Sequence, residues 1–136
     1  MGLTVRAIGL SDEDSFDCGY ITFNQFRIKL AKAYNPEFGD LYERWCHWYH
    51  SEKFPSADFN RMVQLCGSGI VHFLFHSDCG GKLTPKECRA IYDDIKDLHM
   101  DMEGHNYGNM KPYNMLEHWK KMFWHCATKH VNMWFG

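Results

Sequence analysis

Between Phe75 and Cys88 the chain reads F-H-S-D-C-G-G-K-L-T-P-K-E-C, and polar chemistry, glycines and a helix start share fourteen residues. His72 and His76 stand four residues apart, on one face of any helix that runs that far, and Cys79 and Cys88 follow. Imidazole and thiolate suit zinc, and four such donors would close a tetrahedral site. The order H-x3-H-x2-C-x8-C is not a zinc-finger spacing, however, and no CxxC occurs in the chain. Buried thiols and surface imidazoles explain the same residues more simply.

A purely structural reading covers the whole stretch. Thr84-Pro85-Lys86-Glu87 predicts a capping box: the Thr84 hydroxyl accepts from the Glu87 backbone N–H, Glu87 reaches back to the Thr84 N–H, and proline takes the first helical position. Gly80 and Gly81 would supply the positive φ values of a tight reversal. Asp78 would close an Asx-turn onto the backbone two residues on. The expected object is a joint between two helices, and this reading is preferred.

The segment also resembles the twelve-residue calcium loop of the EF-hand family. His76 falls at its first position, Asp78 at the third, Gly81 at the turn, Lys82 at the carbonyl position, Leu83 at the apolar eighth and Glu87 at the bidentate twelfth. The resemblance implies calcium held by Asp78 and Glu87. It departs at His76, which replaces the first carboxylate, and at Gly80, which occupies the fifth position; calcium wants six to eight oxygens. The same loop, with the Pro-x-x-Cys helix start and the segment Gly19 to Arg27 (G-Y-I-T-F-N-Q-F-R), is similar to small proteins of bacteria and their phages. That similarity implies a cellular setting and no particular activity.

Elsewhere, chemistry is sparser. There is no nucleophile elbow, phosphate loop, HExxH or zinc-deaminase pattern. The adjacent pair His125-Cys126 would diverge on a helix, which weakens an enzyme built on a cysteine and its base. Two other groups suit binding: Trp45 and Trp48 on an aromatic-rich helix, and His105, Asn106 and Tyr107 in the stretch from Gly104 to Pro112, expected as a long loop. Tryptophan and tyrosine dominate interface hot spots, and loops held between rigid elements often carry function.

The elements that must position these groups follow from composition and period. A chain of 136 residues is sized for one globular domain. Its nineteen Leu, Ile and Val residues are outnumbered by twenty-two Phe, Tyr and Trp, with eight Met, so the interior should be aromatic and sulfur-rich. The formal net charge of −2 and pI near 6.5 exclude a strongly basic nucleic-acid binder and a heavily acidic mimic. The N-terminus carries no signal-like run and no stretch is long enough to span a bilayer. Six cysteines are therefore expected as reduced thiols of a cytoplasmic protein.

In chain order, Leu3 to Ile8 alternates as a strand and Ser11 to Asp17 reads as an acidic loop. Thr22 to Gln25 reads as a second capping box, opening a helix that ends at Asn35-Pro36. Helices are expected over about 37–51, from 55 to 66, over 70–75, from 85 to 98 and from 113 to 129. Val131 to Phe135 should form a strand paired with residues 3–8. Asp93, Asp97 and Asp101 recur every fourth residue, a solvated face. The expected core is Phe26, Leu30, Trp45, Phe59, Val63, Phe73, Ile91, Ile95, Trp119 and Phe123. The fold class is α+β, mostly helical, with a small sheet joining the chain ends. The expected function is a non-catalytic module that binds a protein partner or small ligand, needing no cofactor. The alternatives are a calcium or zinc protein using His76, Asp78, Cys79 and Glu87, and an enzyme with a Cys/His site.

Overall fold

A computed structural model of the chain describes residues 2–11, 14–48, 54–106 and 109–136. Strand β1 (Gly2–Arg6) points Leu3 and Val5 into the core, as the period of two requires. It pairs antiparallel with β6 (Met133–Phe135), Val5 opposite Phe135 and Arg6 opposite Trp134. The chain ends are thus joined in one sheet, as expected for an α+β fold. Two further strands extend it to the order β2-β1-β6-β3. One is β2 (Phe16–Gly19), whose Phe16 is fully buried at the end of the acidic segment read as loop. The other is β3 (Lys82–Leu83), a short edge drawn from the glycine-rich stretch.

Strand β2 runs straight into α1 (Tyr20–Tyr34), with Gly19 at the N-cap and no side-chain cap. The second capping box is therefore a misreading: Thr22 lies inside the first turn, because no loop separates strand from helix. The inward stripe of α1 is Phe23, Phe26, Arg27, Leu30 and Ala31, a helical spacing with one cation set into it. Asn35 ends α1, and its Oδ1 accepts from the Phe38 N–H at 3.0 Å, so α2 (Pro36–Trp48) follows at once.

Next come α3 (Ser56–Leu65), the short α4 (Val71–Leu74) and α5 (Pro85–Ile95). After α5, β4 (Glu103–Asn106) and β5 (Asn109–Asn114) pair as an antiparallel hairpin. The stretch read as a long loop is thus largely strand. Asn114 caps α6 (Met115–Lys129), its Oδ1 accepting from the Glu117 N–H at 3.1 Å.

One buried cluster fills the space between sheet and helices. Trp119 lies at its middle, with ring centroids 4.7 Å from Phe16, 4.8 Å from Phe73 and 5.5 Å from Phe123. Phe26, Leu30, Ile91 and Ile95 are buried as expected. Phe59 and Val63 are not: they are 43% and 55% exposed, and Met62 is the buried residue of α3. Their helical spacing was real, but the face that carries them looks outward. Trp45 is half-buried. Lys120 is buried, donating to the Leu98 carbonyl at 2.6 Å and pairing with Glu117 at 3.0 Å. The aspartate series is broken, since α5 ends before Asp97. Asp93 pairs with Arg89 at 3.3 Å.

Candidate functional site

Three pieces of chain meet around a cleft of about 410 Å³, within the range typical of small-ligand sites. Helix α1 contributes Asn24 and Arg27, α2 contributes Tyr42, Trp45, Cys46 and His47, and the exit of α4 contributes Phe75, His76 and Asp78. Each piece is tied to the next. The Tyr42 hydroxyl donates to the Leu74 carbonyl at 2.7 Å, and Arg27 Nη1 donates to the His76 carbonyl at 2.7 Å.

The entry to α4 is fixed from behind by α5. Asp94 Oδ2 accepts from the Gly69 N–H at 2.9 Å and the Ile70 N–H at 2.8 Å. A Cβ on Gly69 would run into the Ala90 backbone carbonyl. That close approach explains why the turn before α4 carries glycine there.

The aromatic wall consists of Tyr42, Trp45 and Phe75. Phe75 meets Trp45 edge-on at 4.9 Å and Tyr42 at 5.5 Å, and is itself 36% exposed. Below them the Arg27 guanidinium lies over the Phe23 ring, 4.5 Å from its centroid, a favourable cation–π geometry. Burial pushes the Tyr42 hydroxyl and the Cys46 thiol up from their ordinary values, so both are neutral at physiological pH.

The sequence singled out a metal-type set and two binding groups, and the fold brings two members of the metal-type set and one tryptophan together here. Trp45 shares the cleft with His76 and Asp78. Trp48, 48% exposed, and His105, exposed on β4, do not line it. Asn106 pairs with Asn109 in the hairpin ladder, and Tyr107 lies outside the described residues.

The remaining proposed metal ligands are held by other tasks. Glu87 completes the capping box, accepting from the Thr84 N–H at 2.9 Å, while Thr84 Oγ1 accepts from the Glu87 N–H at 3.2 Å. Its second oxygen lies 3.2 Å from His72 Nδ1. His76 places Nδ1 2.8 Å from the Ser77 carbonyl and Nε2 3.0 Å from the Lys82 carbonyl. The turn is made by Ser77, whose Oγ accepts from the Cys79 N–H at 3.2 Å, and not by the expected Asx-turn of Asp78. Only Gly81 of the two glycines has a positive φ, at 89°.

Cys79 is exposed while Cys88 is buried in the core. Among the described residues no three His, Cys, Asp or Glu side chains converge as an ion site. In this arrangement both His76 nitrogens face carbonyls and the Glu87 carboxylate sits in the helix cap.

No family model, no curated protein and no solved structure matches this chain.

Sequence reasoning passed over Arg27 and Asp94. Arg27 carried a signal, a cation at a stripe position between Phe23, Phe26 and Leu30. Asp94 carried none, since it is one of several aspartates beside α5.

Proposed function

We propose that the protein is a non-catalytic binding module whose small ligand occupies the cleft between α1, α2 and the exit of α4. The observation that carries this reading is the convergence of Tyr42, Trp45 and Phe75 on one concave site. Such a surface favours a flat, apolar ligand body by burial and ring stacking.

The chemistry beside the wall supports binding over catalysis. Cys46 is the one thiol at the cleft, and burial keeps it protonated, whereas a nucleophilic cysteine needs a lowered pKa. The His76 ring nitrogens, facing the Ser77 and Lys82 carbonyls, are not turned toward that thiol.

The test is a titration of the isotope-labelled chain with planar fragments such as indole and naphthalene derivatives, read by amide and indole N–H shifts. The expected result is perturbation confined to Trp45, Phe75 and their neighbours, reduced about tenfold in apparent affinity by Trp45→Ala, a loss of about 1.4 kcal/mol. Shifts centred on any other part of the molecule would overturn the proposal.

A further inference from the structure

We infer that the ligand of this cleft is a monoanion, a flat carboxylate anchored by Arg27; the inference rests on the binding reading above. Arg27 and Lys120 are the two buried cations among the described residues, each 8% exposed. Lys120 has the Glu117 carboxylate at 3.0 Å. Arg27 has no carboxylate partner among the described residues. Its Nη1 donates to the His76 carbonyl and its Nη2 to Asn24 Oδ1, both at 2.7 Å, which uses two of the five guanidinium N–H groups. Its Nε is buried with no acceptor among the described residues.

A buried charge without a counter-charge is costly, and a fixed guanidinium fork matches a carboxylate in shape and donor direction. The plane of that fork is set by the Phe23 ring beneath it and the two neutral acceptors at its edge. The terminal guanidinium nitrogens are thereby held in a fixed orientation for an arriving carboxylate.

The charge class follows from the other lining groups. Arg27 is the only Lys or Arg at the cleft among the described residues, and Asp78 lines it too. His47 and His76 are the other groups there that can carry positive charge, and His76 turns its ring nitrogens to the Ser77 and Lys82 carbonyls. One fixed cation facing one carboxylate compensates a monoanion better than a phosphate dianion. The aromatic wall at Trp45 and Phe75 supplies the apolar body's site.

The experiment compares naphthoate, neutral naphthamide and naphthyl phosphate on the full-length chain, by calorimetry and by the shifts of the Trp45 indole and Arg27 Nε–H signals. Naphthoate is expected to bind at least about tenfold more tightly than naphthamide, with naphthyl phosphate weaker than naphthoate. In Arg27→Gln, which removes the cation and keeps a polar side chain, naphthoate and naphthamide should bind alike. If that variant does not fold, the wild-type comparison still decides, and raised salt should weaken naphthoate and leave naphthamide unchanged. Equal binding of acid and amide at the cleft would overturn the anion inference and leave the binding module standing. Tighter phosphate binding would overturn the monoanion assignment, and cleft signals unmoved by all three probes would overturn the binding reading itself.

Discussion

The turn before α4 gives the sharpest test of how the cleft is held. Gly69 is buried with its Cα face pressed on the Ala90 carbonyl, and Asp94 Oδ2 would lie 2.9 Å from a Cβ placed there. Its φ is not in the left-handed region, so Gly69→Ala is penalised by contact and not by backbone conformation. Overpacking of this kind costs about 1–3 kcal/mol. The obstacle is main chain, which cannot swing aside as a side chain would. Moving the turn outward also stretches the bonds from the Gly69 and Ile70 amides to Asp94, each worth about 1.5–3 kcal/mol when the acceptor is charged. The expected loss for Gly69→Ala is about 3 kcal/mol or more. Asp94→Ala removes both bonds at a half-buried site and should cost about 2–4 kcal/mol, and Asp94→Asn, which keeps an oxygen acceptor, about half of that. Urea unfolding followed by circular dichroism measures each value. The double variant Gly69→Ala/Asp94→Ala should fall short of the sum by more than about 1 kcal/mol, because both changes break one contact. Additive losses, or a Gly69→Ala cost under about 1 kcal/mol, would refute the proposed lock between α4 and α5.

Thr84→Ala should cost about 0.5–2 kcal/mol by removing the α5 cap, while Glu87→Gln should be milder at neutral pH because glutamine can also complete the box. The Thr84 backbone N–H holds the Glu87 carboxyl below its usual range; its stability contribution is present above the unfolded value of about 4.3 and lost as pH falls through the folded one. Acid titration of unfolding should therefore show wild type and Glu87→Gln converging below about pH 4. Burial holds His118 below the ordinary histidine value, against the pull of Asp14. Its folded form is the neutral ring, so the stability is complete above about pH 6.5 and erodes as pH falls from there, a loss that His118→Gln should lack. All six cysteines are free; thiol titration should find six after denaturation under non-reducing conditions, with exposed Cys79 reacting first in the native protein. Fewer than six, reproducibly, would contradict the structure.

The parts of the fold that the sequence revealed are those where a local rule and the tertiary structure agree. Thr84 and Glu87 sit at the box spacing, and the cap exists. Leu116, Trp119, Phe123 and Cys126 keep one stripe through α6, and all four are buried. The expected helix over 70–75 exists as the shorter α4.

Misreadings arose where a pattern was right and its surroundings were not visible. Thr22 to Gln25 has the box spacing, but β2 delivers the chain already entering the helix. Phe59 and Val63 keep a helical period on a face that nothing described covers. Phe16 is one apolar residue among four acids, Asp12, Glu13, Asp14 and Asp17, too little alternation to announce a strand. The hairpin of β4 and β5 is polar and glycine-containing, so its period of two leaves no apolar trace. Tyr49 to Ser51, expected at the end of the second helix, lie outside the described residues. No helix among the described residues is long and apolar enough to cross a membrane.

The cleft was half legible for a related reason. His76, Asp78, Cys79 and Glu87 drew attention as ligand types, yet polar side chains along an irregular segment are first needed by its backbone. From Gly69 to Thr84, amides and carbonyls are met in turn by Asp94, Tyr42, Arg27, His76, Ser77 and Glu87. What can act on a ligand is whatever polar capacity is left after that. Two buried side-chain nitrogens stand out, Trp119 Nε1 and Arg27 Nε. Trp119 is fully buried, enclosed by Phe16, Phe73 and Phe123, and does not line that cleft, so its unmet N–H is a cost of an aromatic core. Arg27 carries a full charge and borders a site where aromatic and polar side chains of α1, α2 and the exit of α4 converge. There the N–H capacity left on its terminal nitrogens is what a ligand can satisfy.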